Sequence, residues 1–271
     1  MASVTSQIIK LNNIAKNKSL CYYLFMERIK LIVQYDGKDF CGWQLQPNGR
    51  SVQGEIEEKL EFLLKEKVRL YASGRTDSGV SALAQVVHFD TRAKVNVNSL
   101  KNSLNALLPE DVKVTGCELA PMDFDARFSV KKKTYQYRFY VSRCELPLFR
   151  QTALRINDYA DVSLMNEACK YFIGTHDFSS FVARKSGKTD FVRTIFDCKI
   201  VSLDNGIYAL EITGNGFLYN MVRIIFGTIL QVGYKKLAPE GIRDIIEAKS
   251  RAKAGKTMPA HALVLKNVEY L

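Results

Sequence analysis

Arg75 and Asp77 stand two positions apart in Gly74-Arg75-Thr76-Asp77-Ser78-Gly79, a run whose composition marks a loop. Loops held by a rigid scaffold are common places for chemistry. A carboxylate in such a loop can form a covalent bond to a reacting group or oppose charge that develops beside it. The same residues also describe an ordinary turn aspartate bonded to its own backbone. The loop alone leaves both readings open.

Arg223 is the second unusual residue, the only charged one from Phe217 to Tyr234. At helical spacing Leu218, Val222, Ile225 and Ile229 form one apolar stripe, and Arg223 falls nearer Tyr219 and Phe226. A buried guanidinium needs a hydrogen-bonded partner or it costs several kcal/mol. A structural salt bridge, a snorkelling side chain and a functional cation all fit this pattern. Tyr135 is the third candidate, in Lys131-Lys132-Lys133-Thr134-Tyr135-Gln136-Tyr137-Arg138. Interleaved aromatics and cations can stack on bases and meet phosphates. Alternating tyrosines are also ordinary strand core residues. Further cations cluster at Arg184, Lys185, Lys188 and Arg193, and at Lys249, Arg251, Lys253 and Lys256, as an RNA track or as hydrated surface. His176 reads as a structural hydrogen-bonding residue. No Walker or dinucleotide fingerprint is present.

The elements that must position these residues follow an α+β grammar. Ile29, Leu31, Val33 and Tyr35 alternate as in a half-buried strand, and Asp36-Gly37 turns the chain. Ser51 caps a helix carrying Val52, Ile56, Leu60 and Leu63, with Glu55 in its first turn. Strand-like sequence follows at Lys67–Tyr71 and Ala84–Phe89, a helix at Ser99–Leu107 and a strand at Val112–Leu119, the order of a split βαβ unit. The second half repeats the grammar with insertions. Its strand Lys133–Val141 leads to a helix over Asp158–Phe172. A hairpin, Thr194–Ser202 and Ile207–Thr213, turns at Asp204-Asn205-Gly206. Helices over Leu218–Val232 and Pro239–Lys249 and a strand at Leu263–Val268 complete it.

Lysine and arginine number 39 against 28 acidic residues, a formal net charge of +11. That surplus favours a polyanionic partner. The six cysteines show no C-x-x-C spacing and the three histidines form no local ligand cluster. A disulfide scaffold and a structural zinc site are not indicated, and the pattern suits reduced thiols in a cytoplasmic protein. No apolar run approaches membrane-spanning length. Residues 1–25 mix lysines with apolar residues and read as an extension before a functional start at Met26, in preference to a basic targeting segment.

The ordered set of motifs resembles the tRNA pseudouridine synthases that modify positions 38 to 40 of the anticodon arm. It comprises Tyr35-Asp36-Gly37, Phe40-Cys41-Gly42-Trp43-Gln44, Ser51-Val52-Gln53, Gly74 through Val80, Asp125-Ala126-Arg127-Phe128, Lys133 through Tyr137, Gly174 through Phe178, Phe217 through Arg223, and Ala260-His261-Ala262-Leu263. The resemblance covers Arg28 to Tyr270. It implies two related lobes, residues 26–128 and 129–271, with joined, mainly antiparallel sheets, helices packed against them and a central basic cleft. It implies that Asp77 is the catalytic aspartate and that Arg223 is the arginine that pairs with it; a planar bidentate fork is the geometry expected of such a guanidinium. Tyr135 would stack on the target uracil and Arg75 would displace the target nucleotide. Lys131, Lys132, Lys133, Arg184 and Lys185 would contact substrate. A homodimer that binds tRNA across both subunits, with no metal or organic cofactor, is also implied. The chain departs from the family pattern at Ser81, where histidine is usual, and at Ala262, where glycine is usual. A catalytically degenerate basic RNA-binding protein is the main alternative, and an RNA hydrolase the second.

Deleting residues 1–25 is expected to leave turnover intact. A truncated protein that folds but has no activity would give the extension an essential role.

Overall fold

The computed structural model of the chain describes residues 26–183 and 190–270. Strand β1 (Glu27–Tyr35) buries Ile29, Leu31, Val33 and Tyr35, the alternating set read from sequence. Helix α1 (Val52–Leu64) starts at Ser51, whose hydroxyl accepts from Gly54 N, and ends where Lys65 turns left-handed at φ 57°. Strands β2 (Tyr71–Ala72) and β3 (Ser81–Thr91) flank the loop that carries Asp77. Helix α2 (Val97–Leu107), capped by Asn96, and strand β4 (Val112–Ala120) follow.

The second half contributes β5 (Lys132–Val141), β6 (Leu154–Ile156), α3 (Val162–Cys169), β7 (Gly174–Asp177), β8 (Val192–Ser202) and β9 (Ile207–Gly214). It ends with α4 (Met221–Gly233), α5 (Gly241–Glu247) and β10 (Leu263–Glu269). Together the strands form one ten-stranded sheet, ordered β4-β1-β3-β10-β5-β9-β8-β7, with β2 on β3 and β6 on β5. Its pairings are antiparallel except β10 with β3 and β5 with β6. The last strand joins the halves, pairing Val264 with Ser81 on one edge and Leu263 through Glu269 with Tyr137 through Lys132 on the other.

Buried apolar residues fall into two clusters. One gathers β1, α1, α2 and β3 and also takes Leu265 and Val268 from β10. The other gathers the second half around α4 and takes Val80 from the loop. Tyr135 packs against both.

Some boundaries differ from those read from sequence. Only Tyr71 of the stretch Lys67–Tyr71 is in a strand. The helix expected over Asp158–Phe172 begins at Val162, because the Asp161 side chain caps it by accepting from Leu164 N. It closes in a single 3-10 turn over Lys170–Phe172. Helix α4 begins at Met221 rather than Leu218, because Asn220 is left-handed at φ 60°.

Helix α4 docks tightly under the segment that leads to β10. Gly255 N donates to Thr228 Oγ1 at 2.9 Å, and that hydroxyl donates to Ile224 O at 2.8 Å. A Cβ on Gly227 would lie 2.1 Å from the Lys256 carbonyl oxygen. Helix propensity alone favours Gly227→Ala by about 1 kcal/mol. The overlap with backbone reverses the sign, so the variant is expected to lose about 1–3 kcal/mol of stability. Urea unfolding checks this, and a stabilised variant would mean the segment yields without cost.

Candidate active site

Hydrogen bonds tie the loop from Ser73 to Val80 to β1, the Phe40–Trp43 segment, β3 and β5. Ser73 N donates to Val86 O at 2.8 Å, and Trp43 N donates to Thr76 O at 3.1 Å. The hydroxyls of Tyr35 and Thr76 meet at 2.7 Å in a buried contact. Gln85 is wholly buried. Its amide nitrogen donates to Gly74 O at 2.8 Å, while its oxygen accepts from the Ser73 hydroxyl at 2.6 Å. Ser78 Oγ donates to Phe40 O at 3.1 Å. Gly42 adopts φ 109°, and a Cβ there would approach Thr76 O to 2.8 Å. Glycine is therefore what lets the Phe40–Trp43 segment back against the loop.

Arg223 sits in the first turn of α4 and is oriented by two acceptors. Nε donates to Met258 O at 2.6 Å and NH1 to Asn220 Oδ1 at 2.7 Å. NH1 also lies 3.7 Å from Asp77 Oδ2. The expected planar fork on Asp77 is thus corrected. The guanidinium spends its directional hydrogen bonds on Met258 and Asn220 and offers Asp77 a charge at close range. The side chains of Arg223 and Asp77 retain 17% and 28% exposure, so solvent screens their attraction less than it would a fully exposed pair.

Burial pushes the Asp77 carboxyl above its ordinary value, and the Arg223 charge opposes that rise. Tyr135, on β5, presents its ring edge-on to Phe217, with centroids 5.1 Å apart at 82°. Its phenol is pushed up by burial, with smaller contributions from Tyr35 and from Asp77. Tyr137, two residues on, points to α4 and donates from its hydroxyl to Pro259 O at 2.8 Å. The fold therefore gathers Asp77, Arg223 and Tyr135 from a loop, a helix and a strand that are distant in sequence.

The remaining candidates divide. Arg75 is exposed, with no hydrogen bond or ion pair among the described residues. Lys133 Nζ donates to Ser73 O at 2.5 Å, so it braces the loop. Lys131 and Lys132 are exposed, the latter 5.4 Å above the Phe196 ring. Arg184, Lys185 and Lys188 lie outside the described residues. Arg193 and Lys249 are engaged with Asp190 and Asp177. His176 Nε2 bonds to Ile173 O at 3.1 Å, the structural use read from sequence. Ser81 Oγ accepts from Gly37 N at 3.0 Å, and Ala262, fully buried, accepts from Arg138 N through its carbonyl. Among the described residues no three His, Cys, Asp or Glu side chains are grouped to hold a metal ion, and no helix is long and apolar enough to cross a membrane.

Sequence reasoning did not single out Tyr35, Gln85, Asn220 or Met258. Tyr35 and Gln85 carried a signal as polar groups in strands buried on their inner faces. Met258 acts through its carbonyl and carried none.

The chain belongs to the tRNA pseudouridine synthase family, whose sequence model matches residues 31–129 and 168–271. It is 46% identical to tRNA pseudouridine synthase A 1 of Bacillus cereus, over 90% of this chain and 99% of that protein. It is 47% identical to tRNA pseudouridine synthase A of Anoxybacillus flavithermus and 45% identical to that of Bacillus subtilis, with the same coverage of each chain.

A raised Asp77 pKa has a stability consequence. Between the ordinary carboxylate value and the higher folded value, the folded state holds the extra proton, so stability falls as pH rises through that window. Asp77→Asn removes the titration. The variant is expected to melt above the parent at neutral pH, with the gap closing as pH falls below the ordinary carboxylate range. Melting temperatures across pH check this; a parent that melts higher at neutral pH would mean the Arg223 attraction outweighs burial.

Proposed function

We propose that this chain isomerises uridine to pseudouridine at positions 38, 39 and 40 of the tRNA anticodon stem-loop, with Asp77 as the catalytic carboxylate. The observation that carries the reading is a half-buried aspartate 3.7 Å from a guanidinium whose orientation two other acceptors fix. Family membership supplies the reaction class. Converting the nucleotide breaks the N-glycosidic bond, turns the uracil and joins its carbon to the ribose, with no net change in composition.

Asp77 acts as covalent or electrostatic partner while charge builds on ribose or base. Arg223 counters the burial that favours the protonated carboxyl, which keeps the charged form accessible at working pH. Tyr135 flanks the loosened uracil and limits its escape during rotation. The target must first leave its stack, at a cost on the order of a few kcal/mol. Arg75, exposed and without a hydrogen bond or ion pair among the described residues, enters the vacated space. Lys131 and Lys132 meet phosphates, and Lys133 holds the loop. The two core clusters support a reading as two lobes, residues 26–128 and 129–271, that bound a basic cleft. A cytoplasmic homodimer engaging one tRNA through both subunits completes the proposal.

Pseudouridine mapping on an unmodified full-length tRNA transcript tests it. Parent protein is expected to convert the anticodon-arm uridines without strand cleavage. Asp77→Asn should lower the single-turnover rate by roughly 100-fold or more. Arg223→Lys should lower it by about tenfold, since an ammonium cannot hold Met258 O and Asn220 Oδ1 while facing Asp77. Tyr135→Phe should retain binding. Normal conversion by Asp77→Asn would remove its assignment, strand cleavage would indicate a hydrolase, and binding without conversion a degenerate site.

A further inference from the structure

Phe128 is 80% exposed, in a turn too well bonded to be a loose end. Asp125 Oδ1 accepts from the backbone N–H groups of Arg127 at 2.7 Å and Phe128 at 2.9 Å. Ser129 Oγ accepts from Asp125 N at 3.0 Å, and Ser129 N donates to Asp125 O at 2.9 Å. Four hydrogen bonds within five residues hold a large apolar ring outward. Scattered exposed apolar residues need no explanation, but one fixed in place by its own turn does.

The turn is fastened to the base of the Asp77 loop by two routes. Ala126 N donates to His88 Nδ1 at 3.0 Å, and the His88 ring stacks at 5.1 Å on Tyr71 in β2, just before the loop. The Tyr270 hydroxyl donates to Ala126 O at 2.7 Å and neighbours the Ser73 side chain, at the start of the loop. Phe128 lies two residues beyond Ala126, and Arg75 two residues beyond Ser73. Each backbone arm spans at most about 7 Å from its anchor before side-chain length is added, so the exposed ring and the exposed cation rise from chain fastened at the same end of the Asp77 loop.

The charge beside the ring suits a polyanion. The Arg127 guanidinium sits 5.3 Å from the Phe128 centroid, and it has no ion pair among the described residues. Lys131 and Lys132, both exposed, follow three and four residues after Phe128. An aromatic face next to cations that form no ion pair among the described residues is the arrangement that stacks a base while neutralising its phosphates. We propose that Phe128 is an RNA-binding residue that stacks on an unpaired base flanking the target nucleotide, with Arg127 on the adjoining phosphate. This rests on the tRNA reading above and adds a contact outside the catalytic group.

The test uses full-length protein and an anticodon stem-loop RNA, with binding measured separately from turnover. Phe128→Ala should weaken binding roughly tenfold, the middle of the range for one aromatic–base stack. It should raise KM similarly, leave kcat within about twofold of the parent, and keep the parent's melting temperature. Phe128→Trp should restore affinity, and its added emission should be quenched when RNA binds, Trp43 being only 1% exposed. Unchanged affinity in Phe128→Ala would overturn the proposal. So would an unquenched Phe128→Trp variant, or one that melts normally but does not recover binding. If the parent bound RNA without isomerising it, the catalytic reading would fail while the binding arms still judged Phe128.

Discussion

A carboxylate withdrawn from water tends to take up a proton, and only the ionised form of Asp77 carries the charge that its proposed role uses. The site works against that tendency with one guanidinium at 3.7 Å. This balance between desolvation and attraction sets the geometric demands on everything nearby. A shift of the loop or of the first turn of α4 by an ångström would change the opposing charge interaction without touching either side chain.

The surrounding devices are consistent with that demand. Tyr35, Gln85, Phe40 and Trp43 bind the loop through hydroxyl, amide and backbone groups, and Lys133 reaches it from β5. On the other side, Asn220 and Met258 decide where the guanidinium points. Met258 is itself held because the segment before β10 lies hard against Gly227 and Thr228 of α4. Strand β10 then runs between β3 and β5, so the strand that leaves the Asp77 loop and the strand that carries Tyr135 share one neighbour.

Much of this architecture was readable beforehand because it depends on local rules. The alternation in β1, the Ser51 cap of α1 and the Asp-Asn-Gly turn between β8 and β9 all survive in the structure. Boundaries slipped where a side chain captured a backbone group, as Asp161 does, or where an asparagine turned left-handed, as Asn220 does. Lys133 was read as a substrate contact, yet its ammonium is turned inward to a carbonyl; a basic run does not reveal which of its members faces the protein.

The amino-acid order alone determined the mixed α+β class, the loop character of the Asp77 segment and the oddity of a solitary arginine in an apolar helix. Periodicity and composition are properties of neighbours in the chain, so they are visible without a fold. Tertiary structure decided that Arg223 faces Asp77 with charge rather than a two-pronged grip. Its firmest acceptor is the carbonyl of a residue 35 positions away. Every residue has such a carbonyl, and only folding selects which one a distant guanidinium will meet.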